Sequence, residues 1–210
     1  MTKLLFLASS IDEVAHDIAL QLPKPAKGQK LAFVTTASEV EEGDLWWLRA
    51  DLQALADVGF DVLKYTITDK NEVDIREDLK DIDALCVGGG NTFYLLQETI
   101  KSGFDKFIKD FVASGKPYMG SSAGSVMAGA NISMANGDDK IKAPDLKDYT
   151  GLGLVDFIIF PHWGSEAFRE SYQNHSREIT YAEDNKLVLL TNYQYVYVQG
   201  DWYQIMEVNH

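Results

Sequence analysis

Two residues in this chain are placed to do nucleophilic chemistry. The first is Ser122, inside Gly120-Ser121-Ser122-Ala123-Gly124. The pattern G-x-S-x-G describes a nucleophile elbow, a strand-to-helix turn sharp enough to leave the serine hydroxyl standing clear at the end of a sheet. Glycines suit such a turn because the backbone crowds itself there, and the serine between them is often held in a disfavoured conformation. The N–H of Ala123 then falls at a helix N-terminus, where it can donate to an oxyanion. By itself the pentapeptide fits a Gly/Ser turn that only caps a helix equally well.

The second is the base that such a serine needs, and the chain has four histidines. His16 falls on the polar side of the first predicted helix, His175 sits mid-helix between Asn174 and Ser176, and His210 is the last residue. His162 directly follows the apolar run Phe157-Ile158-Ile159-Phe160 and precedes Trp163-Gly164. That is a loop at a strand end, where the bases of α/β enzymes sit. From there it could take the proton of Ser122 during attack on a carbonyl and pass it to the leaving amine.

A third block, Gly88-Gly89-Gly90-Asn91-Thr92, lacks the lysine of a Walker loop and the spacing of a dinucleotide fingerprint. Three glycines permit close backbone approach, and an N–H of Gly89 or Gly90 would complete an oxyanion hole with that of Ala123. The plain alternative is a tight turn onto the next helix. Cys86 reads as a small core hydrophobe. No His/Asp/Glu spacing resembles a ligand set, so no metal is expected.

These blocks need elements to position them. Apolar runs at Leu4–Ala8, Leu31–Val34, Asp61–Ile67, Ala84–Val87, Pro117–Gly120, Phe157–Phe160 and Leu187–Leu190 read as strands. Between them the 3.6-residue periodicity predicts helices over Ile11–Leu22, Glu39–Val58, Val73–Lys80, Phe93–Ile100, Phe104–Ala113 and Ser165–Ala182. Ser133–Tyr149 reads as a polar loop or hairpin, and Tyr195–Gln199 with Trp202–Val208 as an antiparallel pair around Gly200-Asp201. Strands alternating with helices imply an α/β fold with a mostly parallel sheet covered on both faces. Ligands of such sheets collect at the carboxyl ends of the strands, where both the glycine triplet and the elbow fall.

Composition narrows the partners. The length of 210 residues suits one α/β domain spanning 1–210, without repeat or linker. A net charge of −13 argues against nucleic acid and against a polybasic membrane surface. No apolar run reaches the roughly 20 residues of a membrane span. The acidic Ile11-Asp12-Glu13 makes the N-terminal run a strand rather than a signal peptide. One cysteine fits a reducing cytoplasm. A monomer and a homodimer are both compatible with the sequence.

Taken together, Val87–Phe93, Gly120–Ser125 and Pro161-His162 resemble the peptidase E (aspartyl dipeptidase) family of serine peptidases in order and spacing. The resemblance implies a fold like the class I glutamine amidotransferases, with serine in place of their cysteine. It implies Ser122 as nucleophile, His162 as base, and an oxyanion hole from Gly89, Gly90 and Ala123. It also implies hydrolysis of short peptides, typically dipeptides with N-terminal aspartate, without cofactor or metal. For the third triad member the family's Asn-Asp segment maps to Asn136-Gly137-Asp138, which nominates Asp138 with Asp139 as rival. A family glutamate that orients the histidine maps to Gln194, an uncharged amide. Glu183, Asp184 or a simple dyad are the alternatives. Asn91 and Arg169 are the candidate substrate contacts, the latter to pair an acidic side chain. A cyanophycinase-like exopeptidase and a binding or regulatory protein without turnover are the rival readings.

Overall fold

The computed structural model describes residues 2–133, 135, 137–170, 172–173 and 186–208, with the backbone alone at Gly137 and Asp138. Its centre is a sheet built on β1 (Leu4–Ala8), β2 (Lys30–Val34), β3 (Asp61–Tyr65), β4 (Ala84–Val87), β5 (Tyr118–Ser121), β8 (Gln194–Gln199) and β9 (Trp202–Glu207). The order is β3-β2-β4-β5-β1-β8-β9. The five strands from β3 to β1 run parallel, while β8 is antiparallel to β1, and β9 to β8.

The two-residue period of the strands sorts their side chains onto two faces. Leu4, Phe6, Leu31, Phe33, Cys86 and Met119 pack with Ile11, Val14 and Ile18 of α1 (Ile11–Gln21) and Leu55 of α2 (Trp46–Asp57). Leu5, Leu7, Val34, Leu85 and Val87 face the other way, onto α4 (Thr92–Ser102), α5 (Phe104–Ala113) and α6 (Ala123–Ala128). α3 (Glu72–Asp78) closes this layer through Ile75. Burial on both sides is why β1, β2 and β4 read as near-continuous apolar runs, whereas the edge strand β3 is largely exposed. Burial also pushes the Cys86 thiol well above its usual pKa, as suits a core residue.

A second, two-stranded parallel sheet pairs β6 (Ile158–Phe160) with β7 (Leu187–Leu189). Three stretches differ from the sequence expectation. Helix α2 begins at Trp46 rather than Glu39, after a 3-10 turn at Thr36–Ser38. Gly43 at φ 87° and the acids Glu39, Glu41, Glu42 and Asp44 explain the late start, since like charges and a left-handed residue both oppose helix. The 133–149 stretch, expected as a polar loop or hairpin, also contains a 3-10 helix, Gly137–Lys142, and is closed by an antiparallel bridge between Asn131 and Thr150. The helix expected at Ser165–Ala182 starts as a 3-10 turn, Glu166–Phe168, and its part beyond 173, with His175 and Arg177, lies outside the described residues, as do Glu183 and Asp184. No helix among the described residues is long and apolar enough to cross a membrane.

Candidate active site

At the end of β5 the chain turns into α6 through Ser122, whose φ of 46° and ψ of −106° lie outside the regions favoured by L-residues. The flanking glycines are required by contact. A Cβ on Gly124 would lie 2.1 Å from the Val87 carbonyl oxygen, and one on Gly120 2.6 Å from the Ser125 nitrogen. Hydrogen bonds hold the turn. The Ser122 N–H donates to the Ala8 carbonyl at 3.1 Å, and the Ser122 carbonyl accepts from Ser125 and Val126 at 2.9 and 3.0 Å.

His162 follows β6, itself in the left-handed region at φ 59°. Its Nε2 lies 3.0 Å from Ser122 Oγ, and its Nδ1 lies 2.7 Å from Asn192 Oδ1. An amide oxygen can only accept, so Nδ1 carries the proton and the Nε2 lone pair faces the serine hydroxyl. The ring of Phe168 stacks on the imidazole at 4.3 Å and 11°. Burial lowers the His162 pKa below its ordinary value, opposed by the hydrogen bond that Nδ1–H donates to Asn192. Burial therefore favours the neutral imidazole, the form a base needs.

The backbone ties the base to the main sheet. The His162 N–H donates to Ser9 Oγ at 3.2 Å, and the Ser9 hydroxyl donates to the Leu190 carbonyl at 3.0 Å. Ser9 directly follows β1, so one side chain joins the end of the main sheet to the loops after β6 and β7.

The glycine triplet passes on the other side of the serine. A Cβ on Gly89 would sit 3.3 Å from Ser122 Cβ. Gly90 has φ 123°, and a side chain there would drive into Ala37, 2.3 Å from its carbonyl oxygen. A cleft of about 90 Å³ opens onto Ser122 and His162, lined also by Gly90, Thr92, Asp139 and Phe168 among others. A larger hollow of about 530 Å³, bordered by Lys3, Asp156 and Tyr203, contains none of these groups.

The remaining sequence candidates fall elsewhere. Gln194 does not reach the histidine; its Oε1 accepts from the Thr191 N–H at 3.0 Å, and Asn192, two residues earlier, meets the ring instead. Asn91 is buried as the N-cap of α4, accepting from the Tyr94 N–H at 2.9 Å and donating to the Asp139 carbonyl at 3.1 Å. Its side chain is thus engaged by the scaffold through one accepted and one donated bond. Arg169 is exposed and paired with Glu166 at 2.6 Å, outside the lining of the cleft. Asp138 lies on the 3-10 helix Gly137–Lys142 with its side chain outside the described residues, while Asp139 lines the cleft. Among the described residues no group of three or more His, Cys, Asp or Glu could hold a metal.

Sequence reasoning missed Asn192 and Ser9. Both follow strands at the carboxyl end of their sheets, and that position was the available signal.

The chain resembles known proteins in sequence and fold. The chain is 35% identical over 199 residues to an uncharacterized peptidase of Listeria monocytogenes, covering 94% of this chain and 95% of that one. It is 34% identical over 152 residues to peptidase E of Shewanella oneidensis, a match spanning 72% of this chain and 61% of that protein. A crystal structure of a Listeria monocytogenes protein provisionally named peptidase E superposes with a TM-score of 0.89 at 32% identity over the whole of both chains. A peptidase from an acI-B1 actinobacterium shares the fold, with a TM-score of 0.73 at 16% identity, covering 99% of this chain and 88% of that one. The model of peptidase family S51 matches residues 5–206, and to that family this chain belongs.

Proposed function

We propose that the protein is a serine peptidase that hydrolyses short peptides through an acyl-enzyme on Ser122. The observation that carries the reading is the line Ser122 Oγ, His162 Nε2, His162 Nδ1, Asn192 Oδ1, with contacts of 3.0 and 2.7 Å. As Oγ attacks the scissile carbonyl carbon, its proton passes to Nε2. The N–H groups of Ala123 and of Gly89 or Gly90 receive the oxyanion. Collapse breaks the C–N bond, and Nε2–H gives the proton to the departing amine. Water, deprotonated by the same nitrogen, then releases the acid and restores the serine.

In this proposal Asn192 stands third, where a carboxylate is usual. Its amide fixes the tautomer but supplies no charge to the imidazolium, as in the Cys-His-Asn sites of papain-like enzymes. A cleft of about 90 Å³ suits one small residue of a short substrate. A dipeptide with N-terminal aspartate is the finer form of the proposal, since the curated relatives include proteins named peptidase E. The neutral amide is also the one feature that favours the rival reading, a binding protein without turnover. A cytoplasmic monomer or homodimer completes the proposal, in keeping with the lone Cys86.

A fluorophosphonate probe tests the core of it. Wild-type protein should be labelled once, Ser122→Ala not at all, and His162→Ala far more slowly. Equal labelling of wild type and Ser122→Ala would refute the assignment. A dipeptide library run beside the β-linked Asp-Arg polymer separates dipeptidase from cyanophycinase-like activity, and binding without product from any substrate would favour the rival.

A further inference from the structure

The chemistry proposed above leaves unused a buried carboxylate directly behind the elbow. Asp51 of α2 is 3% exposed, and Ser121, the residue before Ser122, is 2% exposed. The Ser121 hydroxyl donates to Asp51 Oδ2 at 2.7 Å and accepts from the Ile11 N–H at 3.3 Å. Asp51 Oδ1 accepts from the Asp12 N–H at 3.0 Å. Ser10, the N-cap of α1, caps no backbone N–H of the helix and donates its hydroxyl to Asp12 Oδ1 at 2.8 Å, so the N–H groups of Ile11 and Asp12 are served by Ser121 and Asp51. One carboxylate thus joins α1, α2 and β5 at the point where the strand becomes the elbow.

A strained residue keeps its conformation only where its neighbours over-determine it. Ser122 is fixed on its C-terminal side by the helix bonds of α6, and its own N–H is held by Ala8. On its N-terminal side the side-chain restraint is Ser121, and Ser121 is held by Asp51. Burying a carboxylate is costly, and an apolar residue would fill this space at less cost. Desolvation here outweighs the hydrogen bonds from Ser121, Asp12 and Ile11 and pushes the Asp51 pKa up to about 7.

We infer that Asp51 is a positioning residue, which acts through Ser121 to hold Ser122 in the backbone conformation that aims Oγ at His162. The inference rests on the reading of Ser122 as nucleophile. Its mark is an opposition between stability and reactivity. A residue that only anchors helices loses both together, whereas replacing this carboxylate with a neutral isostere relieves the buried charge while loosening the elbow.

The experiment compares Asp51→Asn, Ser121→Ala and the double variant with wild type and Ser122→Ala, reading the second-order rate of fluorophosphonate labelling and the melting temperature. Asp51→Asn should label at least tenfold more slowly with an unchanged or higher Tm. Ser121→Ala, which deletes one hydroxyl and keeps the carboxylate, should slow labelling by a similar factor, and the double variant no further than the slower single one. Wild-type labelling rates in Ser121→Ala and in Asp51→Asn, or additive losses in the double variant, would overturn the inference. So would slowing that appears only where Tm has fallen towards the assay temperature. If Asp51→Asn does not fold, the rate of Ser121→Ala decides. Labelled wild type with equally labelled variants defeats this inference alone; unlabelled wild type defeats the nucleophile reading and this inference with it.

Discussion

Replacing Asn192 with aspartate should turn the neutral third residue into a charged one and move the pH profile of the site. The amide oxygen lies 2.7 Å from His162 Nδ1, which puts the centres of charge of a carboxylate and an imidazolium about 4 Å apart. At an effective dielectric constant of about 20 their attraction is about 4 kcal/mol, an upper bound before solvent screening. Opposite charges at this distance move a pKa by about one to three units, and the partial exposure of the loop places the expectation at one to two. The sign follows from the role of the ring. Burial holds the His162 pKa below its ordinary value, and a carboxylate favours the protonated form, so the pKa rises. The base must be neutral to accept a proton, so the acid limb of kcat/KM moves to higher pH by about one to two units. Above that limb the variant should be faster, because the imidazolium formed in the transition state is stabilised. Asn192 already fixes the tautomer, so the gain stays well below the roughly 10⁴ separating aspartate from asparagine in the Ser-His-Asp triad, and ~10–100-fold is expected. Labelling rates measured from pH 5 to 9 read both effects. An acid limb that stays put or moves down, with the plateau unchanged, would refute the reasoning.

Other outcomes follow from the same geometry. Asp51 has a folded-state pKa raised from 3.8 to about 7, so the stability tied to its proton is present below pH 3.8 and lost as pH rises through about 7. At ~1.4 kcal/mol per unit that loss is about 4 kcal/mol, and urea midpoints of wild type should carry this slope while those of Asp51→Asn do not; equal slopes would contradict the assignment. Phe168→Ala uncovers the imidazole, and since burial is what lowers the His162 pKa, the acid limb should move up with little change in Tm. Gly124→Ala forces a Cβ to within 2.1 Å of the Val87 carbonyl oxygen, so β4 or the elbow must shift, at a cost of roughly 3 kcal/mol or more and with loss of labelling. A variant that folds and labels like wild type would show that the turn is not as tight as described.

Much of the site can be read from the residues because the elbow and the triplet are short-range features. Gly120, Gly124 and Gly90 are dictated by backbone contacts within a few ångströms, and such constraints leave glycines in the sequence. The strands are legible for a related reason, since burial on both faces leaves runs such as Leu4–Ala8 wholly apolar. What contacts His162 is a different kind of question. Asn192 and Gln194 are both polar residues beside one turn, and which of them reaches the ring depends on Gln194 bonding to Thr191 N–H. No periodicity encodes that choice. Nor does any local pattern distinguish Asp51 from the exposed Asp57 of the same helix, because its partners Asp12 and Ser121 are far away in the chain. The late start of α2 has a local origin instead: a left-handed Gly43 and the run of like charges before it override the helix propensity of the glutamates.

The separation of Ser122 and His162 onto two sheets also sets an order of assembly. The elbow closes once β4, β5 and β1 have paired, all within the first 121 residues. The histidine gains its partners only when the loop after β7 arrives, and β1 meets β8 across some 190 residues of chain. Contacts of such separation form late, because loop closure must precede the stabilisation they bring. A chain leaving the ribosome therefore completes the turn around Ser122 long before the loop that brings Asn192 to His162. On the proposed function, the serine hydroxyl stays without its aligned base until the last strands close against the first.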